Sequence, residues 1–271
     1  ASIDNGIKLF FRGRNLISAD LSHLDTSDVE SFDRMFCSCA KLTTVDLSGF
    51  DTSNVTNMHS MIAGCGSLTS VDLSGFDTSN VTEFSNMFAD SSSLTELDLS
   101  NFTTSNATSF KNMFKNCSSL EVLDINGFEI SEAAKVLDFV TGCTALSEIS
   151  TNDSVLGRAA DMIYSLTNWG WVNKMTGERY PTSAALQAIT GKVTLVKITQ
   201  LYPGWYLDAA GCLHLTGAVK NNSDDSDATQ WKNFKDQIKS VVAYPGASIS
   251  NSASHKHTTR TPPPSPARVY V

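Results

Sequence analysis

Long apolar runs are missing from this 271-residue chain, and none approaches the ~18 residues of a membrane-crossing helix. Charge is thin as well, at 18% of residues, and Ser, Thr and Asn fill exposed positions that Lys and Glu usually occupy. The six cysteines contain no CxxC pair, which argues against common zinc and redox motifs. Five histidines make no HExxH, no GxSxG elbow is present, and no Gly-rich phosphate loop follows a strand. These absences predict a protein that is not an enzyme and carries no cofactor or resident metal. No signal peptide leads the chain, which reads as mature protein or as a fragment that begins inside a repeat. The net charge of -8 is uneven. Residues 1–150 hold 20 acidic and 8 basic groups, and residues 151–271 hold 8 and 12. An array this acidic excludes nucleic acid as the expected partner, because phosphates attract Lys and Arg.

What the chain does contain is a 26-residue repeat. Asp20-Leu21-Ser22 returns as Asp46-Leu47-Ser48, Asp72-Leu73-Ser74, Asp98-Leu99-Ser100 and Asp124-Ile125-Asn126, with no insertion or deletion. Such a period means a stacked solenoid, in which each repeat buries its apolar face against its neighbours. Leu42, Val45 and Leu47 alternate as a half-buried strand does, and they recur in later copies. Phe50, Phe76, Phe102 and Phe128 make a corner column. Val55, Met58, Met61 and Ile62 then fall on one face of an expected short helix. Its N-cap candidates lie in Asp51-Thr52-Ser53-Asn54, and Ser27 with Glu30 spells a capping box. Gly64, Asn116 and Gly142 share a column with Asp90 and Ser38, suited to the left-handed residue that ends a helix. The fold class predicted from these columns is an α/β repeat, a right-handed, leucine-rich-repeat-like β/α solenoid.

The string LDLSxFDTSNVTxMxxMFxxCxSL resembles the repeat of BspA-like leucine-rich surface proteins of Gram-positive and oral or gut bacteria. The resemblance covers about residues 7–150 and weakens at Thr103, Ala107 and Glu129. It implies a secreted or wall-attached, extracellular protein that acts in adhesion. The implied partner is a host extracellular protein or a bacterial surface protein. In such a protein the sequons at Asn54, Asn80 and Asn106 carry no glycosylation meaning.

Two polar columns invite chemistry. Cys39, Cys65, Cys117 and Cys143 lie one repeat apart or two, with Ser91 in the gap. Neighbouring coils place Cα atoms about 5 Å apart, so buried free thiols, vertical disulfides and a metal site are all geometrically open, with free thiols favoured. Cys37 and Cys212 fall outside this column and look incidental. Asp20, Asp46, Asp72, Asp98 and Asp124 form a ladder read either as calcium ligands or, preferably, as acceptors for N–H groups of the adjoining turn.

Periodicity stops near Thr151. The expected domains are the solenoid at 1–152, a cap and small α+β unit at 153–200, a hairpin-plus-helix unit at 201–249, and a linker or disordered tail at 250–271. Ser154 is a cap candidate for a helix over 156–166 whose stripe is Leu156, Ala159, Ala160 and Ile163. Thr182 and Ser183 start a short helix, 192–198 alternates as a strand, and a hairpin turns at 208–211. Trp231, Phe234 and Ile238 mark one face of a further helix. For function, the expected contact surface is the exposed strand side at Thr44, Ser70, Glu96 and Glu121. A spacer role and glycan binding through Trp169, Trp171 or Trp205 are the alternatives, and tryptophan burial would remove the latter.

Overall fold

The computed structural model describes residues 7–202, 205–215, 218–221, 237–243, 248–251 and 267–270. They group into two compact units, Ala1–Leu166 with Thr182–Leu195, and Thr167–Pro181 with Val196–Val271.

The first unit is a β-solenoid. Its strands β1 (Ser18–Asp20), β2 (Thr44–Asp46), β3 (Glu96–Asp98), β4 (Val122–Asp124) and β5 (Glu148–Asn152) all lie on one column. Pairing is parallel and in register, Ser18 with Thr44, Glu96 with Val122, and Val122 with Glu148. Residues 70–72 occupy the same column without forming a strand, which divides the wall into β1–β2 and β3–β4–β5. A second line of parallel bridges joins Ser31, Asn57, Glu83, Ser109 and Lys135.

Where a helix was expected in each coil, the chain runs instead through consecutive tight turns. Ala63 donates to Ser60 O and Met61 to Met58 O, three residues back, both at 3.2 Å. The intervening amides point out of the coil: Met58, Ser60, Ile62 and Gly64 donate to Glu83, Ser85, Met87 and Ala89 of the next coil, at 2.7–3.0 Å. An α-helix would spend those same amides on its own carbonyls four residues back. Two residues per coil are also left-handed, at Ser60, Asn86, Asn112 and Asp138, and at Ser38, Gly64, Asp90, Asn116 and Gly142. The second set is the column assigned to a left-handed residue from sequence. The first set, mid-segment, is what breaks the helix, because L-residues in sequence do not continue one through that conformation.

The expected caps consequently do other work. Asp51 Oδ1 accepts from Ser53 N and Oγ within its own turn. Thr52 Oγ1 accepts from Asp77 N and donates to Asp77 O, both at 2.8 Å, tying one coil to the next. Asn54 donates its amide to Ser27 O of the preceding coil. Ser27 is held by Asp25 rather than joined to Glu30 in a capping box.

Apolar columns fill the interior. Phe50 stacks on Phe76 and Phe102 on Phe128, each pair with centroids 6.3 Å apart, while Phe84–Phe110 and Phe88–Phe114 stack at 5.7 and 5.6 Å. Leu42, Leu68, Leu94, Leu120 and Leu146 are fully buried.

Helix α1 (Asp153–Tyr164) follows β5 and buries Val155, Leu156, Ala159, Ala160 and Ile163, including the whole expected stripe. Its N-cap is Asn152, whose side chain accepts from Val155 N. Ser154 lies in the first turn and bonds the backbone of Ile130 instead. Helix α2 (Ser183–Gln187) is capped by Thr182, as expected, and packs on α1.

In the second unit β6 (Trp171–Asn173) and β7 (Arg179–Tyr180) form a hairpin. Strand β8 (Lys192–Tyr202) begins in the first unit, beside β5, and its residues from Val196 on belong to the second. Within the second unit, residues 198–202 of β8 pair antiparallel with β9 (Trp205–Asp208), which forms with β10 (Cys212–Leu215) an antiparallel hairpin that turns where the sequence placed it. After β11 (Ala218–Asn221) come β12 (Ser240–Ala243), parallel to β10, then β13 (Ser248–Asn251), parallel to β11, and β14 (Ala267–Tyr270), antiparallel to β12. Residues 267–270 of the expected disordered tail are therefore a strand, and 252–266 lie outside the described residues. Trp231 and Phe234 of the expected helix also lie outside them, and Ile238 precedes β12 without helical structure.

Candidate functional site

Thr44 and Glu96 open β2 and β3, Ser70 holds the equivalent place in the rung between them, and all three are exposed. Glu121 is exposed too but belongs to the adjoining column of Thr43, Thr69, Thr95 and Ser147. That second column is engaged in stacking: Thr43 Oγ1 donates to Ile17 O at 3.0 Å and Ser147 Oγ to Glu121 O at 3.1 Å. Thr56, Thr82 and Thr108 donate to the preceding coil in the same way. Much of the hydroxyl surface thus joins coil to coil.

The Asp column borders this face. Each carboxylate accepts the amide two residues on, Ser22, Ser48, Ser74, Ser100 and Asn126, at 2.9–3.1 Å. This is the turn-acceptor reading of the ladder. Bonds from Ser22, Ser74 and Ser100 hold Asp20, Asp72 and Asp98 below the usual carboxylate range, so the ridge stays anionic. Burial pushes Asp124 the other way. The face offers a partner the Asp column beside the exposed side chains of Thr44, Ser70 and Glu96.

The column thiols are free and buried. Each sulfur donates to a carbonyl 29 residues back, Cys65 to Phe36 O and Cys143 to Phe114 O, and Ser91 Oγ makes the equivalent bond to Ile62 O at 2.6 Å. Burial pushes Cys65 and Cys143 up to about 12 and raises Cys117 as well.

Of the three candidate sugar platforms, only Trp169 is available, at 45% exposure. Trp171 and Trp205 are 0% and 1% exposed, Trp205 packing among Leu207, Leu213 and Leu215, so neither ring offers a face to solvent.

Sequence reasoning overlooked one constellation, treating Cys212 as incidental. Strand pairing sets Leu213 against Leu207 and His214 against Tyr206, so Cys212 comes opposite Asp208 and His214 diagonal to it. Asp208 Oδ1 accepts from Cys212 N at 2.8 Å and Oδ2 lies 2.9 Å from His214 Nε2. The Tyr206 ring stacks on the imidazole at 4.3 Å. Desolvation works against the charged forms of Cys212 and His214. Even so, bonds with His214 and Ser240 bring the Cys212 thiol down, and bonds with Asp208 and Cys212 raise His214. The available signal was a Cys-x-His on one strand face, beginning four residues after the Asp of a turn-flanking Trp-x-x-Asp.

Coils zipped through turn amides and stacked in register define a β-solenoid repeat protein. The family model described as "Mycoplasma protein of unknown function, DUF285" matches residues 5–73 and 38–153, together more than half of the 271 residues, and the chain belongs to that family. No curated protein and no solved structure matches the chain. No helix among the described residues is long and apolar enough to cross a membrane.

Proposed function

We propose that this protein is an extracellular interaction module of a bacterial surface, which binds a host or bacterial protein through the strand side of a right-handed, leucine-rich-repeat-like solenoid. The observation that carries the reading is a contrast between columns. Inward positions repeat their residue type from coil to coil, whereas the outward column reads Thr44, Ser70, Glu96, Val122. Stacking constrains the first set and leaves the second open to selection for a partner. The anionic ridge of Asp20, Asp72 and Asp98 beside it suits a partner with Lys or Arg at its contact rim. The resemblance to BspA-like repeats supports the surface location and the adhesive role.

The spacer reading draws on a different observation. Thr43, Thr56, Thr82, Thr108 and Ser147 all spend hydroxyls on the neighbouring coil, which stiffens an array without serving a ligand. Pull-down of the full chain against matrix proteins and whole bacteria, beside a Thr44→Arg, Ser70→Arg, Glu96→Arg variant, separates the two. Loss of capture in the variant supports the strand-side site. Equal capture by both proteins refutes it, and absence of capture by either favours the spacer.

A further inference from the structure

The second unit holds three chemically unlike ligand groups in its interior. Asp208, Cys212 and His214 are 5%, 2% and 4% exposed, and their carboxylate oxygen, sulfur and imidazole nitrogen all lie within 4.8 Å of one another. We propose that Asp208, Cys212 and His214 form a binding site for a divalent transition-metal ion of the zinc type.

The donor set carries the choice of ion. One thiolate, one imidazole and one carboxylate suit borderline-soft Zn²⁺, whereas Ca²⁺ and Mg²⁺ take oxygen donors alone. A tetrahedral ion about 2.0–2.3 Å from each donor sets those donors roughly 3.3–3.8 Å apart. The 2.9 Å contact between Asp208 and His214 must open by less than about 1 Å, within reach of side-chain rotation alone.

The surroundings are organised for this. Cys212 N fixes Asp208 Oδ1 and leaves Oδ2 to face the other donors. Tyr206 stacks on the imidazole and fixes its plane, and Tyr206 is itself anchored by its hydroxyl to Gly177 O and covered by the Arg179 guanidinium. Such supporting contacts orient first ligands in metal sites. Ser240, paired with Cys212 across β10 and β12, brings a hydroxyl beside the sulfur. A cavity of about 320 Å³ lies beside the cluster, lined by Asp208, Gly211 and Lys239 among others, with Asp208 the ligand residue that borders it.

A Cys–His–Asp set also suggests a nucleophile. Cys212 is 2% exposed, however, which leaves no open approach to its sulfur for a substrate larger than an ion or a water. Binding the ion displaces the Cys212 proton, so uptake of one Zn²⁺ releases protons to solvent and weakens as pH falls.

The test is Co²⁺ titration of the reduced, chelator-treated full chain, read by absorption. One equivalent per chain with a sulfur-to-cobalt charge-transfer band is expected, together with a rise in Tm on adding Zn²⁺. The band should vanish in Cys212→Ser and persist in Cys37→Ser and Cys117→Ser. Asp208→Asn, which keeps the shape but withdraws a charged direct ligand, should weaken binding by at least ~10-fold. Absence of the band in folded wild-type protein overturns the proposal, even should Cys212→Ser fail to fold. So does a band that survives in Cys212→Ser.

Discussion

Thr52 tests the difference between a turn-zipped coil and a helical one. Its side chain is 2% exposed, and its hydroxyl both accepts from Asp77 N and donates to Asp77 O at 2.8 Å. Thr52→Val keeps the shape and removes both bonds. Each is worth about 1 kcal/mol, and the stranded Asp77 amide adds a further penalty of about 1 kcal/mol, for a total near ~2–3 kcal/mol. A helix N-cap at this position would lose a comparable amount, so valine alone decides little. Aspartate decides it, because Asp equals or betters Thr as an N-cap and a helical coil would accept it without loss. In the zipped coil Thr52→Asp sets a buried carboxylate against the Asp77 carbonyl, at a cost of about 3 kcal/mol or more. Urea unfolding followed by far-UV circular dichroism measures both, with the midpoint lowered and the slope unchanged. A Thr52→Asp protein as stable as wild type would refute the zipper and restore the helix. Thr26, Thr78 and Thr104 repeat the contact, so Thr104→Val, two coils away, should add its cost independently.

Three further outcomes follow from the same packing. Phe110 is fully buried between Phe84 and Phe128, each with its centroid 5.7 Å away, so Phe110→Ala should cost about 3–5 kcal/mol in the same assay, and a loss under about 1 kcal/mol would contradict the stacked core. The thiols of Cys65 and Cys143, at about 12, stay protonated in the fold, so stability should be lost as pH climbs from the ordinary thiol range toward that value. At pH near 8 a disulfide reagent should label the partly exposed Cys37 well before the column cysteines, and rapid native labelling of Cys65 would tell against its burial. Asp20, Asp72 and Asp98 sit below the usual carboxylate range, so their stabilisation is complete above that range and disappears as pH falls through it. Asp72→Asn should flatten the acid side of the Tm-against-pH curve, and an unchanged slope would exclude the turn bonds as its source.

The turn segment shows why one step of the fold misled the reader of the sequence. Val55, Met58, Met61 and Ile62 point inward at spacings of three, three and one. Successive turns closed by bonds between residues three apart produce that spacing, and so does a helix. The bonds that distinguish the two run from Met58 to Glu83 and from Ser60 to Ser85, across coils, where no local pattern records them. The left-handed column of Arg34, Ser60, Asn86, Asn112 and Asp138 was the available clue, weakened because Arg and Ser are poor advertisements for that conformation.

The sequence by itself determined the period, the parallel register and the identity of the main apolar columns, because a repeat can bury apolar groups only against its own copies. It also determined the Asp turns, which need nothing beyond an amide two residues away. Tertiary structure alone decided whether each coil is helical, since that depends on where amides find acceptors 25 residues distant. It alone buried Trp171 and Trp205, and it alone brought Asp208, Cys212 and His214 together through the register of one hairpin. Residues made neighbours by strand pairing carry no periodic mark, and so the one such ligand cluster among the described residues shows itself only in the folded chain.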